Sequence, residues 1–178
     1  MSPPQVQNQI ARTMARIDKL PAPVAERART LFLRNVVPFV GTARLDIVEL
    51  TTSRAIVTVK NRRRVRNHIG SLHAAAMALL AETATGFVVA MNVPEDRVPV
   101  IKSMGVEFKK RAKGALRAEA TLTSEQVAQI HAQEKGEVRV EIHVTDEAGV
   151  EPIVCTMVWA WTPKRRKAPG EADGPGKA

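Results

Sequence analysis

The stretch from Asn67 to Ala90 constrains this chain more than any other. It opens on a polar, glycine-containing turn, Asn67-His68-Ile69-Gly70-Ser71, and runs directly into a helical pattern. From Leu72 to Ala90 apolar residues occupy almost the whole circumference of that helix. A helix that is apolar on all sides is buried, so the rest of the chain must be arranged to cover it. One carboxylate, Glu82, interrupts the apolar wall. A lone acid there is costly unless it is partnered or put to use.

The segments on either side read as two helices, then strands. Val6, Ile10, Met14 and Ile17 recur at helical spacing within residues 5–20, and Pro21 and Pro23 end that run. A second helix is expected from Val24 to about Asn35, with Ala28, Leu31, Phe32 and Val36 as its apolar stripe. Pro38 and Gly41 close the helical part, and the period then changes to two. Leu45, Ile47 and Glu49 alternate in a first strand, Thr51-Thr52-Ser53 turns, and residues 54–60 form a second strand. After the buried helix come a long strand over 98–110, a fourth over 115–123, a fifth over 137–145 and a sixth over 153–161. In the long strand Val100, Lys102, Met104, Val106 and Phe108 share a face, with Gly105 as the candidate bulge. Thr123 with Gln126 three residues on predicts a capped short helix through about Ala132. Strands joined by hairpin-like turns make an antiparallel sheet. A sheet curled around one helix leaves part of that helix bare, so packing alone predicts a second copy.

At 178 residues the chain is long enough for one domain with a sizeable core. Its formal net charge of +9 favours anionic partners without choosing among them. Nucleic acid ranks last of these, because the positive charge is spread over both termini and several loops with no known motif, and 3% aromatic residues with no tyrosine make a poor stacking platform. The single cysteine, Cys155, excludes an intrachain disulfide or a multi-cysteine zinc site. The sequence predicts no membrane span and a cytoplasmic location. The four histidines, at 68, 73, 131 and 143, form no metal spacing with Asp or Glu, so no metal and no resident cofactor is expected. Arg62, Arg63, Arg64 and Arg66 lie just before the central stretch and read either as a solvated loop or as a phosphate-binding patch.

The pattern Asn67-x-x-Gly70-x-x-His73-Ala74, with Glu82 nine residues beyond the histidine, resembles the hotdog-fold acyl-CoA thioesterases. The likeness extends over about residues 40–162 and includes Gly114, the Asp146-x-x-Gly149 turn and the closing Val-Trp-Ala-Trp, which is similar to a little-characterised branch of that superfamily. It implies an α+β hotdog fold: a curved antiparallel sheet of about six strands wrapped around a long central helix. The expected organisation is an N-terminal helical extension at 1–40, the hotdog domain at 41–163 and a disordered basic tail at 164–178.

The resemblance also implies a site. Glu82 would be general base or nucleophile, and the backbone N–H of Ala74 would be the oxyanion donor. Asn67 would orient the water or the acid, and His73 would position the loop or polarise the substrate. Gly70 would shape the turn. Arg62, Arg63, Arg64, Arg66 and Lys102 would meet coenzyme A phosphates, the coenzyme being part of the substrate, and Ser103 would be a hydroxyl partner of the acid. The family has glycine where this chain has Ala74, which keeps open a second function: an acyl-CoA or fatty-acyl binding protein without turnover. Two plainer readings stay open beside these: His73 as a helix cap, and Glu82 as a buried acid paired to an arginine. Nine helical residues turn by about 900° and rise about 13 Å, so His73 and Glu82 cannot serve one substrate from one chain. The enzyme reading therefore requires a homodimer, or a tetramer built from it.

Overall fold

The computed structural model describes residues 8–164. Val6 of the expected N-terminal stripe, and the basic tail beyond Lys164, lie outside the described residues. The order is α1 (Gln9–Ile17), α2 (Ala22–Val36), α3 (Pro38–Ala43), β1 (Asp46–Leu50), β2 (Arg54–Val59), a short 3-10 turn (Arg63–Val65), α4 (Ala74–Ala90), β3 (Arg97–Phe108), β4 (Leu116–Thr121), α5 (Ser124–Ala132), β5 (Gly136–Asp146) and β6 (Ile153–Pro163). The six strands form one sheet in the order β1-β2-β4-β5-β6-β3. Every neighbouring pair is antiparallel. This is the hotdog arrangement, with N-terminal helices added.

The sheet closes over α4 as the sequence demands. Leu80, Ala81, Ala84 and Val88 of the helix are fully buried, as are Val57, Ala118, Ala120 and Met157 of the sheet. The cover is incomplete along one stripe. Ala74 and Ala75 are exposed, and Ala78, Leu79, Glu82, Gly86 and Ala90 are only half-buried. Those positions recur every three or four residues and so lie on one side of the helix.

The N-terminal helices seal one edge of the sheet. A strand at an edge presents unpaired backbone groups, and α2 meets those of β1 with side chains. Thr30 Oγ1 accepts from Ile47 N at 2.9 Å, Arg29 donates to Val48 O, and Arg34 Nε donates to Leu45 O at 2.9 Å. Arg34 also pairs with Asp46 at 2.7 Å, and Arg29 with Asp18 at 2.8 Å. This changes the face of α2. The buried residues are Ala25, Arg29, Thr30 and Leu33, whereas Leu31 and Val36 of the expected stripe are exposed. The polar side chains turn inward because the strand edge needs donors and acceptors. Asn8 docks α1 in a similar way. Its Oδ1 caps the helix by accepting from Ala11 N at 2.8 Å, while its Nδ2 donates to Ala90 O and Val93 O at 2.6 and 2.7 Å, tying α1 to the far end of α4.

Two irregularities depart from the sequence reading. In β1 the pairing shifts between Ile47 and Glu49, so Leu50 rather than Glu49 continues the buried face. In β3 the shift falls between Ile101 and Ser103, making Lys102 the extra residue; Gly105 pairs regularly with Thr156. Helix α3 is also additional. Pro38 starts it instead of breaking it, since the first helical position needs no N–H donor.

Candidate functional site

The loop that leads into α4 is built by Asn67. Its Oδ1 accepts from Ile69 N at 3.1 Å and Ser71 N at 3.0 Å, and its Nδ2 donates to Leu72 O at 3.3 Å. One Nδ2 proton is left over. Gly70 supplies the left-handed residue of the turn, with φ +74°, and its N–H donates to Asn67 O. Ser71 Oγ donates to Ala112 O at 2.9 Å, fixing the loop to the segment before β4.

His73 is the N-cap of α4, and its Nδ1 accepts from Ala75 N at 3.1 Å. Its own N–H donates to Val65 O at 2.8 Å. The histidine is therefore committed to capping through Nδ1, and the opposite ring nitrogen points from an exposed side chain. Ala74 is the first residue of the helix and is exposed, and its N–H has no hydrogen-bond partner among the described residues. Such an N–H carries part of the positive end of the helix dipole.

Glu82 lies two turns further along α4, about 12 Å from Ala74 on the helix axis. It sits in the middle of the half-buried stripe, and no arginine or lysine pairs with it among the described residues. Burial pushes its carboxyl above the ordinary glutamate range, and the neighbouring Thr83 hydroxyl acts to a lesser degree in the opposite sense. That hydroxyl has no well-formed hydrogen bond among the described residues, although Thr83 is only 3% exposed.

Both side chains line a cavity of about 170 Å³, together with Gly86 and Phe87 of α4, Pro99 of β3 and Trp159 of β6. Trp159 is held there by its Nε1, which donates to Thr85 Oγ1 at 3.0 Å. A methyl on Gly86 would come within 2.7 Å of the indole, so only glycine lets the ring lie this close to α4.

The basic residues divide. Arg66 is occupied with Asn61, through Nε to Oδ1 at 2.8 Å and Nη2 to the carbonyl at 2.9 Å, and Arg64 donates to Thr42 O at 3.3 Å. Arg62 and Arg63 are exposed, with no side-chain partner among the described residues. Arg111, from the other side, donates to Ile69 O and so joins the loop. Lys102 pairs with Glu137 of β5. Ser103 is opposite Val158, whereas Trp159 is opposite Ile101. Cross-strand partners share a face, so Ser103 lies on the sheet face turned away from α4 and Glu82. The bulge at Lys102 is the cause.

Sequence reasoning pointed to Glu82 and to the helix start but missed the cavity. Its walls come from the N-terminal helices, α4, β3 and β6, and no local pattern connects them. Among the described residues no group of three His, Cys, Asp or Glu side chains is placed to hold a metal ion. No described helix is long and apolar enough to cross a membrane.

Several solved structures share this fold. A protein from Pseudomonas aeruginosa described as a probable thioesterase is 26% identical, with a TM-score of 0.69 over 82% of this chain and 97% of that one. A thioesterase from Haemophilus influenzae superposes with a TM-score of 0.60 at 14% identity, over 83% and 94% of the two chains. A thioesterase from Staphylococcus aureus, in a mutant form, gives 0.61 at 18% identity, over 71% and 100%. No curated protein sequence matches the chain. The family model described as a domain of unknown function (DUF4442) matches residues 26–161, which takes in most of α2, α3, all but the last two residues of the sheet, the central helix and the cavity wall formed by Val37 and Val40. By that match the chain belongs to the DUF4442 family, and its structure is a hotdog fold.

Proposed function

We propose that this chain hydrolyses acyl-CoA thioesters as a homodimer with two composite sites. The observation that carries this reading is Glu82: a half-buried acid with a raised pKa, no cationic partner among the described residues, and an apolar cavity beside it. A carboxylate used structurally would be expected to carry a counter-charge; one whose pKa burial has raised is a stronger base and suits general-base work. The likeness to the Pseudomonas probable thioesterase supports the same reading.

In the proposed reaction Glu82 takes a proton from water as the water oxygen attacks the thioester carbonyl carbon. The negative charge that develops on the carbonyl oxygen is met by the N–H of the partner's Ala74, a contribution of about 3 kcal/mol for a well-placed donor. Collapse breaks the carbon–sulfur bond, the thiolate leaves and takes the proton from Glu82, and a fatty acid and free coenzyme A result. Asn67 and His73 act by holding the helix start in place. Arg62 and Arg63 meet the coenzyme phosphates. The dimer is supported by β3, a 12-residue edge strand on which Met104 and Phe108 are 51% and 53% exposed.

The test is release of free thiol from a panel of acyl-CoAs, with Glu82→Ala as control. Turnover that disappears in the variant supports the hydrolase. Binding of acyl-CoA with no turnover in the wild-type chain favours the non-catalytic alternative, for which the methyl of Ala74 beside the helix-start N–H is the structural argument.

A further inference from the structure

The cavity beside Glu82 has walls of two origins. One side is α4 with Pro99 and Trp159; the other is Ile10 of α1, Val36 at the end of α2, Val37 between α2 and α3, and Val40 of α3. The helices that seal the β1 edge thus also close the far side of the cavity. Its lining is apolar apart from Glu82 and Thr83, which are neighbours on α4. A buried hydroxyl without a well-formed hydrogen bond is costly, and a polar group bound beside Glu82 offsets that cost.

We propose that the N-terminal helices make this cavity a ruler for the acyl tail. The thioester head lies at Glu82 and Thr83, and the tail ends against Val37 and Val40. The proposal rests on the acyl-CoA reading above and adds the substrate class. An apolar cavity of about 150 Å³ takes one benzene molecule, so this volume accommodates an acyl group of about six carbons. Longer chains must displace α3.

The experiment reads Trp159, whose ring lines the cavity, so binding is followed without turnover. Full-length protein carrying Glu82→Gln is titrated with straight-chain acyl-CoAs of two to twelve carbons while tryptophan fluorescence is recorded. Affinity is expected to rise about fourfold per added methylene until about six carbons, then to stop rising. Val40→Ala moves that break to longer chains, and Val37→Phe moves it to shorter ones. A climb that continues to twelve carbons overturns the ruler, as does a break that neither variant moves. Should both variants fail to fold, judged by circular dichroism, the presence or absence of the break in the Glu82→Gln titration decides alone. The two readings fail separately: a break without hydrolysis by the wild type removes the enzyme and keeps the ruler, and hydrolysis without a break removes the ruler only.

Discussion

At the residue scale the acid on α4 sets the pH behaviour. Because burial raises its pKa, kcat/KM is expected to rise with pH through a carboxyl ionisation above the usual glutamate range and then level off. Glu82→Gln is expected to lower kcat by about 10²–10⁴-fold. The same substitution should raise stability, and the sign follows from linkage. The folded chain binds the Glu82 proton more tightly than the unfolded chain, so Glu82 destabilises the fold once pH exceeds the unfolded pKa of about 4.3, fully above the folded one. The Tm of Glu82→Gln should therefore exceed the wild-type value at about pH 8, with the gap closing below about pH 4. An unchanged Tm at the higher pH would mean the carboxylate is solvated. Arg62 and Arg63 make a separate prediction. Arg62→Ser with Arg63→Ser should raise KM for acyl-CoA about tenfold at low salt, leave kcat in place, and leave KM unchanged for the same acyl group on pantetheine, which lacks the nucleotide phosphates. Cys155, by contrast, is chemically quiet: burial, and then Glu151, push its thiol up to about 11.

At the scale of elements, α1 is held by one side chain doing two jobs. Asn8→Ala removes the cap of α1 and both hydrogen bonds to the end of α4, and should cost about 1–3 kcal/mol in urea unfolding. A loss below about 0.5 kcal/mol would show that α1 is docked by Ile10 and Met14 instead. Most elements were legible in the sequence because their signals are local. The buried helix announced itself by apolar residues on every side, and α5 by the Thr123–Gln126 capping box, which forms in full. What the sequence hid was non-local. A period-two reading cannot see a bulge, so Glu49 was expected where Leu50 lies, and Ser103 was expected near an acid that the bulge at Lys102 turns it away from. The face of α2 departs from its apolar stripe for a related reason: Arg29 and Thr30 turn inward because a strand edge, distant in sequence, needs their hydrogen bonds. The Gly70 turn and the lone acid Glu82 stand out in the sequence itself and Ala74 only through the family resemblance, but the cavity joining Glu82 to Trp159 and Val40 required the fold.

At the scale of the whole molecule the two ends of the sheet differ. The β1 end is covered by α2, and the β3 end is long, apolar and open. Pairing of two β3 strands about a two-fold axis is the expected contact. Replacing Val100 and Met104 together by Lys should shift the protein from dimer to monomer in light scattering, with circular dichroism unchanged and thioesterase activity lost. A monomer that keeps full activity would rule out the shared site. The closed β1 end also has a consequence for size. Each copy has one end able to accept a strand, so once two copies meet no acceptor remains, and ribbons or fibrils cannot grow by this route. Association through strand edges should therefore stop at two copies, and any larger particle would have to form through the sheet faces or the helices, by a contact of a different kind.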